Sequence, residues 1–131
     1  MAEWVRKVLP ETMGEFRIKL EEFLELYNRG EAELLDVRSQ YEADLWGLKF
    51  GLQIPPDQLP DRLEQLPKNK LIVTICPGKD RSNLVASYLR EKGFNAKYLP
   101  DGLEGLISYL RGTGAKKLTP PPFQKGDNSQ R

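Results

Sequence analysis

The stretch from residue 71 to residue 81 reads Leu71-Ile72-Val73-Thr74-Ile75-Cys76-Pro77-Gly78-Lys79-Asp80-Arg81. Its first five residues are all aliphatic or β-branched, and a run without polar alternation is typical of a strand buried on both faces of a parallel sheet. After Arg81 the apolar residues fall at helical spacing, and Gly93 is placed to end a helix. The sequence therefore predicts a strand, a tight loop that begins at Cys76, and a helix that begins near Ser82.

The position of Cys76 has chemical consequences. The first N–H groups of a helix have no partner within the helix and carry the positive end of its dipole, so they bind anions and favour a thiolate over a thiol. Lys79 and Arg81 add two cations to the same loop. We interpret Cys76 as a nucleophile in an anion-binding loop. The alternative is a buried free cysteine that serves only as a small hydrophobic residue.

Composition indicates an ordinary globular domain. The chain has 131 residues, of which 39% are hydrophobic and 30% charged. No uncharged run is long enough for a signal peptide or a membrane span, which predicts a cytoplasmic protein with no membrane partner. Twenty basic and nineteen acidic side chains leave a net charge of +1. Such a balance provides no overall field for nucleic acid, and we predict no nucleic-acid partner.

The counts of cysteine and histidine restrict the chemistry further. One cysteine permits no internal disulfide and no resolving partner, so any sulfur that it acquires must pass to another molecule. The sequence contains no histidine, which excludes a Ser-His-Asp triad, a Cys-His dyad and the usual zinc sites that use histidine. We predict that the protein requires neither a metal nor an organic cofactor.

A second motif lies upstream, where residues 34–38 read Leu-Leu-Asp-Val-Arg. The apolar residues predict a central strand, and Asp36 and Arg38 then lie at its carboxyl end, where open α/β sheets usually place their sites. Arg38 either contacts substrate or ties loops together by hydrogen bonds, and for Asp36 we favour the second role. Ser39 and Glu42 form a capping box, which predicts a helix from Gln40 and gives Glu42 a structural role.

Together the two motifs resemble the signatures of the rhodanese superfamily, Cys-Arg-x-Gly-x-Arg-Ser and Leu-Leu-Asp-Val-Arg-x-x-x-Glu. The resemblance covers residues 16–112 and implies a small three-layer α/β domain, in which helices flank a central, mainly parallel sheet of about five strands. Residues 1–15 then form an N-terminal arm. Residues 113–131, which are rich in proline and polar residues, are expected to form a flexible C-terminal tail.

The resemblance also implies an activity, sulfur transfer through a persulfide on Cys76. The thiolate attacks thiosulfate or another sulfane-sulfur donor, and a thiol or cyanide then removes the sulfur. The implied partners are a small anionic donor and a thiol or protein acceptor, and the protein is expected to be a monomer or a weak homodimer. The residues expected to bind substrate are Gly78, Lys79, Asp80, Arg81, Ser82 and Arg38.

Loop length separates this activity from a related one. The resemblance implies a loop of six residues, Cys76 to Arg81, in sulfurtransferases, whereas related phosphatases carry their arginine one position later, where this chain has Ser82. A shorter loop encloses a smaller anion pocket, which suits a sulfur atom better than a phosphoryl group. A cysteine-dependent phosphatase or arsenate reductase is therefore the less favoured alternative.

The chain departs from the family pattern at the loop itself. Pro77 stands where the family commonly has arginine, and proline has no N–H to donate. Upstream, Leu48 and Phe50 replace the histidine and proline that the family commonly shows between two glycines. These departures motivate a further alternative, a rhodanese-like binding or regulatory module that is catalytically weak.

Overall fold

A single parallel sheet organises the fold. The structure, a computed structural model, describes residues 5–6 and 8–118. The strands are β1 (Ala32–Asp36), β2 (Leu52–Gln53), β3 (Leu71–Ile75) and β4 (Ala96–Tyr98), and the helices are α1 (Leu20–Asn28), α2 (Gln40–Leu45), α3 (Asp80–Glu91) and α4 (Gly102–Leu110). The strands are all parallel, in the order β2-β1-β3-β4. The predicted α/β class with a parallel sheet is confirmed.

Strand β3 lies at the centre, and its bounds are those that the sequence predicts. All five of its residues are buried because it pairs with β1 on one side and β4 on the other. Successive side chains point to opposite faces of a strand. One face of the sheet packs against α1 and α4, and the other packs against α3. These are the expected three layers, with helices on both faces of the sheet.

The fifth strand is reduced to a single bridge. The sequence predicts a short edge strand at residues 16–18, and about five strands in all. In the structure only Arg17 pairs with Tyr98, in parallel, and the N–H of Ile18 donates to the carbonyl of Tyr98 at 3.1 Å. Just before this bridge, residues Met13–Phe16 form a 3₁₀ turn that buries Phe16 beside α3.

The C-terminal boundary differs from the predicted one. A flexible tail is expected from residue 113, but Gly112–Lys117 form a 3₁₀ helix. The Asn28 side chain donates to the Lys117 carbonyl at 2.6 Å, and Leu118 packs against the core, so both contacts hold this segment against the domain. Residues 1–4 and 7 of the predicted arm, and 119–131 of the predicted tail, lie outside the described residues. In the part of the chain that is described, no helix has the length and apolar character needed to cross a bilayer.

Helix α4 begins directly against the Cys76 loop. Gly102, its first residue, has a φ of +68°, and a Cβ there would lie 2.8 Å from the carbonyl oxygens of Pro77 and Gly78. The next N–H, that of Leu103, donates to the Cys76 carbonyl at 2.9 Å. Only glycine tolerates both this backbone conformation and this approach. The start of α4 therefore supports the loop that follows β3.

We expect Gly102→Ala to destabilise the protein more than Gly30→Ala. Gly30 also has a positive φ, +77°, but a Cβ there would meet nothing within 4 Å. The control should lose about 1 kcal/mol of unfolding free energy through backbone strain alone, and Gly102→Ala roughly 2 kcal/mol more through the steric clash. Urea denaturation of both variants measures this difference. Equal losses of unfolding free energy in the two variants would show that the close approach at Gly102 does not stabilise the loop.

Candidate active site

Ser82 is fixed to the end of β3 by two residues of that strand segment. Thr74 and Cys76 are two positions apart, so their side chains point to the same face, toward α3. The hydroxyl of Thr74 donates to the Ser82 carbonyl at 2.7 Å, and the Ser82 N–H donates to Cys76 Sγ at 3.4 Å. All three residues are buried. The first turn of α3 is therefore held in register with the thiol.

Helix α3 begins two residues earlier than the sequence predicts. It starts at Asp80 with Lys79 as its N-cap, whereas the helix was expected to begin near Ser82. The Asn83 N–H donates to the Lys79 carbonyl at 3.0 Å, and the Ser82 hydroxyl donates to the same carbonyl at 3.0 Å. An acidic residue such as Asp80 is favourable in a first turn, which explains the earlier start. The connecting loop is thus only residues 77–79.

This geometry places the first turn of α3 beside the sulfur. The N–H groups of Asp80, Arg81 and Ser82 lie in the first turn, where they have no acceptor within the helix. That of Ser82 already points at the thiol. The Cys76 residue is 1% exposed, whereas residues 77–81 are exposed. The thiol therefore lies beneath the surface, next to a short segment that faces solvent.

Arg81 is bound by a residue of α2. Its guanidinium donates two hydrogen bonds to the Glu42 carboxylate, at 2.6 and 3.0 Å. The hydrogen-bonded pairing with Arg81, followed by bonds from Ser39, lowers the pKa of Glu42 to about 2, and the same pairing raises the pKa of Arg81. Both side chains are partly exposed, so solvent weakens the attraction. The pair nevertheless ties α2 to the first turn of α3.

Sequence reasoning finds only half of what Glu42 does. The predicted capping box is confirmed, since the Ser39 N–H donates to the Glu42 carboxylate at 2.9 Å and the Glu42 N–H donates to the Ser39 hydroxyl oxygen at 3.4 Å. The contact with Arg81 spans 39 positions and no local pattern indicates it. Thr74 was missed as well. Its only signal is a hydroxyl within an aliphatic strand, two positions before the cysteine.

Arg38 has the arrangement of a residue that ties loops together. It is 1% exposed, its guanidinium pairs with Asp36 at 2.7 Å, and it donates to the Trp46 carbonyl at 3.0 Å. It also lies over the Trp46 ring, with 4.1 Å between the guanidinium carbon and the ring centroid. These contacts occupy the guanidinium within the β1–α2 region. The other predicted binding residues, Gly78, Lys79, Asp80, Arg81 and Ser82, follow Cys76 in the loop and the first turn.

The described residues offer no obvious metal site. Across residues 5–6 and 8–118, no three cysteine, aspartate or glutamate side chains are grouped so that they could hold a metal ion. What the loop does offer is a thiol, first-turn N–H groups and nearby cations. This set suits a negatively charged covalent intermediate on sulfur.

Comparison with protein families gives one match that covers most of the chain. The Rhodanese-like domain family matches residues 19–108. Among curated relatives, a tRNA uridine(34) hydroxylase of Hamiltonella defensa is 32% identical over 120 residues, which is 87% of this chain and 33% of the relative. The protein of the same name from Salmonella newport is 30% identical, over 77% of this chain and 30% of the relative. The chain spans about a third of the length of these relatives.

Solved structures show the same fold. The reduced CoADR-RHD protein of Bacillus anthracis is 31% identical, with a TM-score of 0.63 over 72% of this chain and 17% of that one. A rhodanese-like domain protein of Staphylococcus aureus is 27% identical, with a TM-score of 0.60 over 68% of this chain and 88% of that one. A human single-domain sulfurtransferase, at 22% identity and a TM-score of 0.63, covers 71% of this chain and 96% of its own, and it supports the fold alone.

We expect the Glu42 carboxyl to remain ionised far below the usual range, with a pKa of about 2 instead of 4.5. Because the folded-state pKa is lowered, stability from this pair is present above about pH 4.5 and lost as the pH falls toward 2. Arg81→Gln should raise the pKa of Glu42 more than Ser39→Ala does, since Arg81 is the larger cause. Carboxyl titration by NMR measures both shifts. An unchanged pKa in Arg81→Gln would contradict the ion pair.

Proposed function

This chain belongs to the rhodanese-like domain family, and on that premise we propose that it transfers sulfur through a persulfide on Cys76. The observation that carries the proposal is the placement of the thiol. Cys76 lies at the end of β3, and its sulfur accepts a hydrogen bond from the first turn of α3 at 3.4 Å. First-turn N–H groups stabilise negative charge, which both the thiolate and the persulfide carry.

The first step of the reaction forms the persulfide. The Cys76 thiolate attacks the outer sulfur of thiosulfate, the sulfur–sulfur bond of the donor breaks, and sulfite leaves with the electron pair. A persulfide donor reacts in the same way and releases a thiolate. In the second step an acceptor thiolate, or cyanide, attacks the outer sulfur and Cys76 thiolate leaves. Electrons balance within each displacement, so no redox cofactor is needed.

Each loop residue has a proposed part in these steps. The N–H groups of Asp80, Arg81 and Ser82 stabilise the sulfur anion, and Gly78 lets the loop turn without a side chain. Lys79 supplies positive charge at the N-cap position. We leave Arg38 out of the proposed binding site because its guanidinium is occupied by Asp36 and Trp46.

We expect thiosulfate or an alkyl persulfide to add one sulfur atom to the protein. Since Cys76 is the only cysteine, intact-protein mass spectrometry reports its modification directly. Cys76→Ser should show no gain, and it is a matched control because its hydroxyl can still accept the Ser82 N–H. Circular dichroism confirms that the control is folded.

The departure from the family pattern at Pro77 gives a separate prediction. Pro77→Ala supplies the missing N–H to an exposed loop position, and we expect it to raise the rate of persulfide formation. A wild type that gains no sulfur from either donor, while Cys76 still reacts with an alkylating reagent, would overturn the proposed activity and favour a binding module.

A second candidate function follows from the names of the curated relatives. Proteins named tRNA uridine(34) hydroxylase match 76–87% of this chain at 30–32% identity. A contribution to uridine modification in tRNA is therefore a specific alternative to sulfur transfer among small molecules and proteins. It differs from the prediction, drawn from the net charge, that the protein has no nucleic-acid partner.

Deletion of the gene in its native host separates this candidate from the first. If the domain serves tRNA modification, nucleoside mass spectrometry should show loss of hydroxylated uridine, which wild type restores and Cys76→Ser does not. Unchanged tRNA would contradict this role and would leave sulfur transfer unaffected.

A further inference from the structure

We infer that the sulfur partner of this domain is a protein whose reactive cysteine lies in an apolar segment, and that this segment docks on one surface beside the loop. The α2–α3 surface consists of Tyr41 and Leu45 on α2 and of Leu84, Val85 and Tyr88 on α3. The inference rests on the proposed sulfur transfer and deepens it, because it assigns the chemical class of the partner.

The first support is the charge of the loop. Lys79 and Arg81 are the cations that a small anionic donor would require. Asp80 lies between them, and the carboxylate of Glu42 accepts two hydrogen bonds from Arg81. Lys79 and Arg81 thus bring two positive charges, Asp80 and Glu42 bring two negative ones, and Pro77 adds none. Equal numbers of positive and negative charges around the thiol give little electrostatic attraction to a dianion such as thiosulfate.

The second support is the set of exposed apolar residues on the two helices that this ion pair joins. Tyr41, Leu45 and Leu84 are 75%, 84% and 71% exposed. Tyr41 and Leu45 are four residues apart on α2, and Tyr41 is next in sequence to Glu42, which binds Arg81. On α3 the residues Leu84 and Tyr88 lie three and seven positions after Arg81, on the same helical face.

A groove extends this surface along α3. Leu84, Val85 and Tyr88 form one wall, and Pro56, Leu59 and Pro60 form the other, around a volume of about 190 Å³. An apolar groove that begins one turn after Arg81 fits an apolar side chain next to a reacting cysteine, and it offers nothing to a small anion.

Burial of the thiol gives a reason for such docking. Because Cys76 is 1% exposed, the loop must open before sulfur can be transferred. Binding energy from a remote, apolar contact can offset the cost of that opening. A small dianion makes no such apolar contact, and the positive charges near the thiol are already balanced by negative ones. The partner that fits is thus apolar around its sulfur.

Two matched peptide persulfides test the inference, Ac-Leu-Cys(SSH)-Leu-NH₂ and Ac-Glu-Cys(SSH)-Glu-NH₂, with thiosulfate as the third donor. In each peptide reaction the Cys76 thiolate attacks the outer sulfur, the peptide thiolate leaves, and the proton stays on the transferred sulfur. Mass spectrometry follows the rate. We expect the apolar peptide to react with wild type about tenfold faster than the acidic one, which corresponds to a modest difference in apolar contact.

Two variants should change this preference in different ways. Leu84→Ser is expected to slow the apolar peptide about fivefold, through lost burial, and to change the acidic peptide less. Leu9→Ser, at another exposed leucine, is its control. Glu42→Gln keeps a residue suited to the capping box but frees Arg81, so thiosulfate and the acidic peptide should react about fivefold faster.

The outcomes separate the inference from the proposed function. Equal rates for the two peptides in wild type, or an unchanged rate for the apolar peptide in Leu84→Ser, would overturn the inference while sulfur transfer stands. No sulfur gained from any of the three donors would overturn both. Sedimentation tests the remaining occupant of the surface, since a wild-type dimer that Leu84→Ser converts to monomer would assign it to a second copy and overturn the inference.

Discussion

The position of the loop after Cys76 depends on two hydrogen bonds that join Ser82 to Thr74 and Cys76. The Thr74 hydroxyl holds the Ser82 carbonyl, and the Cys76 sulfur accepts the Ser82 N–H, so a single residue of α3 is fixed at both of its backbone polar groups. Strand periodicity makes this possible, because residues two apart share a face. With the ends of β3 and α3 fixed in this way, only residues 77–79 remain to connect them. A short, fixed connection is what brings first-turn N–H groups to the sulfur.

In the reaction that we propose, a chain without histidine has to activate its thiol by backbone geometry and charge. The charged side chains near the thiol, however, also bind other groups. Arg81 is bound by Glu42, which also caps α2, so the same carboxylate orders one helix and neutralises a cation of the loop. Stabilisation of a sulfur anion then depends more on the N–H groups, whose direction is set by the fold, than on mobile side chains.

The sequence predicted best what depends on local patterns. The uninterrupted apolar run of β3 and the capping box at Ser39 are local, and both are found where expected. The Arg81–Glu42 contact joins residues 39 positions apart, and no local pattern contains it. The structure begins α3 at Asp80 rather than near Ser82, and no local pattern shows the bonds that hold Ser82 to Thr74 and Cys76. A 3₁₀ helix covers Gly112–Lys117, where Asn28 donates to the Lys117 carbonyl, a contact between residues 89 positions apart. The sequence also left open whether Arg38 binds substrate or ties loops together, because that depends on its partners in the fold, which are Asp36 and Trp46.

Under our proposal, the reactive thiol and the residues that select its partner are separate parts of the fold. The geometry around Cys76 is general, since it would stabilise any persulfide whatever its origin. Pro77, which differs from the family pattern, is exposed in the loop, where a partner would meet it first. Because the positive and negative charges near the thiol are balanced, we expect specificity for the partner to come from contacts outside the loop. The exposed apolar residues of α2 and α3 are placed to supply those contacts, on the two helices that Arg81 and Glu42 connect.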